Sequence, residues 1–184
     1  MKLPIVRYGD PVLRAKGRRI TQVDDHLREL AANMIETMQE ANGVGLAAQQ
    51  IGEALQLTVV DVSAAEEQLS TMKLNGAEVD PKASMPLVLL NPVVTLGRET
   101  ELGVEGCLSF PEITADIRRA RAVVARADTL EGERIEIEAT GLLARALQHE
   151  VDHLNGILFI DRMSAATKVA LRSRLKRMQK ENAP

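Results

Sequence analysis

The pentapeptide His149-Glu150-Val151-Asp152-His153 places two imidazoles four residues apart around a glutamate. On a helix that spacing brings both rings to one face a turn apart, where they can reach a single metal ion while the glutamate sits beside an open coordination position. A metal there acidifies its bound water, and Glu150 can take that water's proton and later return it to a leaving group. The chain holds 3 histidines, so two falling by chance at ligand spacing around an acid is a poor explanation. The third, His26, stands beside Asp24 and Asp25 near the start of an amphipathic segment. A solvated side chain accounts for it, and no role is assigned.

The third ligand decides which hydrolase chemistry follows. The extended protease pattern H-E-x-x-H-x-x-G-x-x-H is met through Gly156, but Phe159 stands where its last histidine belongs. Thermolysin-type sites take a glutamate from a downstream helix, yet no acid occurs between Arg162 and Lys180. Asp161 is the nearby carboxylate and Cys107 the single cysteine, which cannot form an internal disulfide. A thiolate is the softer, fully charged donor to a late first-row metal, so Cys107 is the expected third ligand. It lies in Gly103-Val104-Glu105-Gly106-Cys107-Leu108-Ser109-Phe110-Pro111-Glu112, a glycine-containing stretch where backbone can approach a ligand closely.

Three segments carry the helical period needed to position these groups. Residues 24–42 repeat Leu27, Leu30, Ala31, Met34, Ile35, Met38 and Ala41 between a capping Asp24 and a terminating Gly43. Residues 141–155 carry adjoining stripes, Leu143-Leu147-Val151-Leu154 and Leu142-Ala146-His149-His153, so the histidines border the core. After Ser164, a basic amphipathic helix over 165–181 sets Leu171, Leu175 and Met178 against Lys168, Arg172, Arg174, Lys176, Arg177 and Lys180. Strand-like runs fill the interval at 57–62, 87–90, 93–96, 123–127 and 134–138, with 129–133 as a hairpin connection. Helix, then strands, then helices without regular alternation predicts an α+β domain. The expectation is mostly antiparallel sheets packed around a central HExxH helix, with an N-terminal and a C-terminal helix. Residues 1–184 are read as one domain, in which the polar, proline-containing stretch 63–86 is a surface excursion.

Composition closes off other classes. At 184 residues, 45% hydrophobic and 27% charged, the chain fits a globular domain with a sizeable core, and a net charge of −3 gives no overall attraction to nucleic acid or anionic membrane. Two Phe, one Tyr and no Trp leave no base-stacking platform. The opening residues lack the apolar run of a secretion signal and no stretch is long enough to span a bilayer, so a cytoplasmic location is expected. Gly43-x-Gly45-x-x-Ala48, with Asp61 downstream, formally meets a dinucleotide fingerprint. Its context is reversed, because a helix precedes it and a strand follows, so no nucleotide cofactor is expected.

Three motifs in order, Gly43-Val44-Gly45-Leu46-Ala47-Ala48-Gln49-Gln50, the stretch around Cys107 and Gln148-His149-Glu150-Val151-Asp152-His153-Leu154-Asn155-Gly156, make the chain resemble the peptide deformylases of bacterial type. The likeness runs from Asp10-Pro11-Val12-Leu13-Arg14 to the helical tail. It implies removal of the N-formyl group from the N-terminal formylmethionine of newly synthesised polypeptides, with release of formate. Metal-bound water would be the nucleophile, Glu150 the general base and then acid, and Cys107, His149 and His153 the metal ligands. Gln50 and the backbone N–H of Leu108 would hold the oxyanion with the metal. Val44, Gly45, Glu105, Leu142 and Ala146 match positions that line the methionine pocket, although aliphatic residues there also suit plain core. The resemblance implies one Fe(II) per chain, with Zn(II), Ni(II) or Co(II) able to replace it, and formylmethionyl peptides and nascent chains as partners. The basic tail helix could contact the ribosome, its plainer reading being a solvated face. Two departures stand out: 63–86 is longer than in compact members, and Phe110 replaces a commonly smaller aliphatic. An H-E-x-x-H peptidase and a non-catalytic metal or ribosome binder are the rival readings; the second predicts loss of Glu150 or Gln50, and both are present.

Overall fold

A computed structural model describes residues 1–65 and 69–183. The first helix, α1 (Asp25–Glu40), begins where Asp24 Oδ1 accepts the backbone N–H of Leu27 at 2.8 Å. Its buried face is Leu27, Ala31, Met34 and Met38, residues that recur one turn apart. Chain reversal at Asn42, with φ of 54°, then leads into β1 (Gly45–Ala47). A 3₁₀ turn over Ala48–Ile51 connects to β2 (Leu57–Val60). The hairpin β3 (Met72–Leu74) and β4 (Ala77–Val79) follows, within the stretch read from sequence as an excursion.

Strand β5 (Leu87–Leu96) merges the two runs expected at 87–90 and 93–96, with its register shifting between Leu90 and Val93. Then come β6 (Thr100–Cys107), β7 (Phe110–Ala120), β8 (Ala122–Asp128) and β9 (Arg134–Thr140). Helices α2 (Gly141–Leu154) and α3 (Ala165–Glu181) complete the chain. Seven strands form one sheet in the order β1-β2-β5-β8-β9-β3-β4, while β6 and β7 form a separate two-stranded sheet. All these strand pairs are antiparallel.

Apolar side chains sort into three clusters. Val60, Leu89, Val123, Ala125 and Ile137 meet Leu143 and Leu147 of α2. Leu27, Met34 and Met38 of α1 cover Leu46, Leu57 and Val59. Phe110, Ile113 and Ile117 of β7 pack on Leu13, Leu158 and Phe159, and Leu171, Leu175 and Met178 fasten α3 to that cluster. Ser164 Oγ caps α3 by accepting the Thr167 N–H at 3.1 Å. No helix among the described residues is long and apolar enough to cross a membrane.

One expectation is corrected. The α+β class with antiparallel sheets and flanking helices is what is observed, but the picture of sheets packed around a single central HExxH helix is not. The three donors are split between two elements, Cys107 at the end of β6 and His149 and His153 on α2. The reason is geometric: residues at i and i+4 supply two donors from one helical face, and the third must arrive from another part of the chain. The two-stranded sheet delivers it.

Candidate metal centre

The register of β6 against β7 shifts between Gly106 and Cys107, and the tight turn that follows carries Leu108 and Ser109. That irregularity ends the strand with Cys107 facing α2, where Sγ lies 3.3 Å from His153 Nε2. The two imidazole rings stand 4.9 Å apart, and one donor atom from each of Cys107, His149 and His153 falls within 4.8 Å of the others. His149 Nδ1 is engaged with Glu105 Oε1 at 2.9 Å, leaving Nε2 as its ligand atom. A thiolate with two neutral imidazoles is a donor set suited to a divalent late first-row metal, with room for a fourth ligand.

Glu105 is 6% exposed and surrounded by donors. Arg119 donates through Nε and Nη2, both at 2.9 Å, and Arg145 Nη1 at 2.8 Å. Burial alone would raise its pKa, but the hydrogen bonds from His149 and Arg119 hold it at about 2. Arg119 Nη1 also donates to Asp152 at 2.6 Å, and Asp152 receives Arg162 Nη2 at 2.7 Å. A chain of charge-assisted bonds thus runs from half-exposed Arg162 inward to His149. For His149 itself, burial opposes charge, while hydrogen bonds to Cys107 and Glu105 hold the pKa up to about 10. Burial and the charge of His149 instead keep His153 neutral.

Glu150 has the opposite setting. It is 4% exposed, its Oε2 has no hydrogen-bond partner among the described residues, and burial pushes its pKa up to about 7. Gly45 makes its position possible, because a Cβ there would collide with the Glu150 carboxylate. Gln50 is buried rather than a solvated loop residue. Its Oε1 accepts the Ala47 N–H at 2.9 Å, which turns Nε2 toward Ser109 Oγ at 3.2 Å and Cys107 Sγ at 3.5 Å.

These groups border a cavity of about 490 Å³. Of the residues singled out in the sequence, Val44, Gly45, Gln50, Glu105, Cys107, Leu108, Leu142, Ala146, His149 and Glu150 all line it, and His153 lies behind them against Cys107. The sequence reading missed Arg119, Arg145, Asp152 and Ser109. Asp152 sat in plain view inside the H-E-x-x-H segment, but its partners Arg119 and Arg162 come from β7 and from the turn after α2.

The family model for polypeptide deformylase matches residues 2–169. The chain belongs to the polypeptide deformylase family. The peptide deformylase of Opitutus terrae is 49% identical over 182 residues, covering 98% of this chain and 94% of that protein. That of Methylacidiphilum infernorum is 43% identical over 183 residues, covering 100% and 96%. Among solved structures, the peptide deformylase from Thermus thermophilus superposes with a TM-score of 0.82 at 38% identity, covering 98% of this chain and 99% of that one. The Thermotoga maritima deformylase gives 0.76 at 38% identity, covering 89% and 99%. The deformylase likeness therefore includes both sheets and the donor-bearing elements.

Proposed function

We propose that the chain is a metal-dependent hydrolase that removes the formyl group from formylmethionine at the N-terminus of newly made polypeptides, giving formate and a free amine. The observation that carries this reading is a buried Glu150 carboxylate, its Oε2 unpartnered among the described residues, on a cavity lining beside the Cys107, His149 and His153 donors. Cys107, His149 and His153 would hold a divalent metal, which would supply Lewis acidity and lower the pKa of water toward neutrality. Fe(II) is the metal the resemblance implies, and the donor set also accepts Zn(II), Ni(II) or Co(II).

Glu150 takes the attacking water's proton and passes it to the departing nitrogen, a task suited to a carboxyl poised near neutral pH. Gln50 Nε2, aimed by the bond that its oxygen receives from Ala47, and the Leu108 N–H stabilise the charge that develops on the formyl oxygen. Val44, Gly45, Leu142 and Ala146 form the apolar side of a methionine pocket, and Glu105 fixes the ring of His149 from its edge. Residues 1–184 act as one catalytic domain. The site of protein synthesis, the cytoplasm, is where such an activity belongs. The basic residues of α3 offer a contact to ribosomal phosphates.

Formate release from a formyl-Met peptide, assayed anaerobically beside metal analysis, tests the proposal. The parent should release formate and leave the unformylated peptide intact. Cleavage of the unformylated peptide would instead favour a peptidase, and full activity in Cys107→Ala or Glu150→Ala would overturn the mechanism.

A further inference from the structure

One wall of the cavity is not apolar. Leu142, Arg145, Ala146 and His149 follow one another along the face of α2 that lines it, so Arg145 stands one turn before a metal ligand, beside the space a first-residue side chain would enter. Arg145 is 8% exposed. Its Nη1 donates to Glu105 Oε2 at 2.8 Å and to the Ile117 carbonyl at 2.9 Å, and Nη2 donates to the Glu101 carbonyl at 3.3 Å. Among the described residues no acceptor meets its Nε–H or the second Nη2 hydrogen.

The backbone opposite is shaped for this head group. A Cβ on Gly103 would lie 2.8 Å from Arg145 Cζ and Nη2 and 3.0 Å from Nε, so the guanidinium lies flat against a residue without a side chain. Glu105 does not neutralise Arg145 alone, since Arg119 shares it. Arg119, Arg145 and Arg162 are thus joined to Glu105 and Asp152, and Arg145 brings a cationic donor to the same lining as the apolar Val44, Leu142 and Ala146.

We propose that Arg145 is a specificity-determining residue whose guanidinium gives the first-residue pocket a hydrogen-bonding wall, so that formylated chains beginning with methionine sulfoxide are accepted as well as those beginning with methionine. This rests on the deformylase reading above. A thioether is a weak acceptor, whereas oxidation places a strongly accepting oxygen on the same sulfur with little change in length. An all-aliphatic wall would strip that oxygen of water and return nothing. Here the unspent N–H groups of Arg145 take the place of the lost water.

The test is kcat/KM for three formyl peptides differing only in the first residue: methionine, methionine sulfoxide and norleucine, which has methionine's length and no acceptor. The metal-loaded parent should cleave the sulfoxide peptide within about tenfold of the methionine peptide. Arg145→Leu should lower the sulfoxide-to-norleucine ratio by roughly 10- to 100-fold, the scale of one hydrogen bond from a charged donor. Gly103→Ala keeps Arg145 but displaces its head group, and should lower the ratio in the same direction; it carries the test alone if Arg145→Leu does not fold. Ratios within one preparation cancel differences in metal loading. Failure of the parent on the methionine peptide would overturn the deformylase reading itself. Cleavage of methionine with the sulfoxide slower by more than about 1,000-fold, or ratios unchanged in the folded variants, would overturn only the role given to Arg145.

Discussion

The cavity lining holds two buried glutamates, one on the two-stranded sheet and one on α2, and they are treated in opposite ways. Glu105, on β6, is bonded by Arg119, Arg145 and His149 and held at a pKa of about 2. Glu150, on α2, has an oxygen with no partner among the described residues and is raised to about 7. Burial acts on both; the donors supplied by β7 and α2 separate them. A permanently ionised carboxylate can orient an imidazole, and one near neutral pH can exchange a proton.

The largest effect should come from Glu150. Glu150→Gln keeps the shape and removes the exchangeable proton, so kcat should fall by about 10²- to 10⁴-fold while metal content, measured by elemental analysis, is unchanged. At Glu105, Arg119→Met removes the buried donor that it shares with Asp152. Breaking a buried pair from one side costs about 3–5 kcal/mol, which should appear as a lowered urea midpoint with the m-value retained.

The pH dependence of stability in the metal-free chain should carry opposite signs for the two acids. Glu105 has a depressed pKa in the folded state, so its contribution is fully present above its ordinary value of 4.5 and is lost as pH falls toward 2. That contribution is about 3 kcal/mol. Glu150 has a raised pKa, so stability falls as pH rises from 4.5 through about 7. Urea titrations of Glu150→Gln should lack that fall; a parent curve that is flat there would break the contrast. The smallest effect is that of metal removal, about 2.7 kcal/mol at a concentration 100 times Kd. Uptake should also release protons, because a ligand nitrogen of His149 must be free, and calorimetry in buffers of different ionisation enthalpy would register it.

What could be read in the sequence was what is local. The α2 segment announced itself because imidazole spacing and apolar period coincide within a few turns of one helix, and the boundaries of α1 followed from Asp24 and Gly43. Strand β7 was not recognised although Ile113, Ala115 and Ile117 alternate inward, because the next inward position is Arg119, a charge that reads as surface until Glu105 and Asp152 are brought to it. In β6, exposed Leu102 and Val104 and the intervening Gly103 reverse the usual pattern. The third donor was inferred from chemistry alone, and its placement on a second sheet depended on contacts that no local pattern encodes.

The close approach of Gly103 to the Arg145 guanidinium ties two positions 42 residues apart into one unit of inheritance. A side chain at 103 must push the arginine head group aside, and loss of the arginine alone leaves a void beside Glu105. Lineages that redesign this pocket should therefore change both residues together, exchanging glycine and arginine for a pair of aliphatic residues, and substrate preference should shift in the same step.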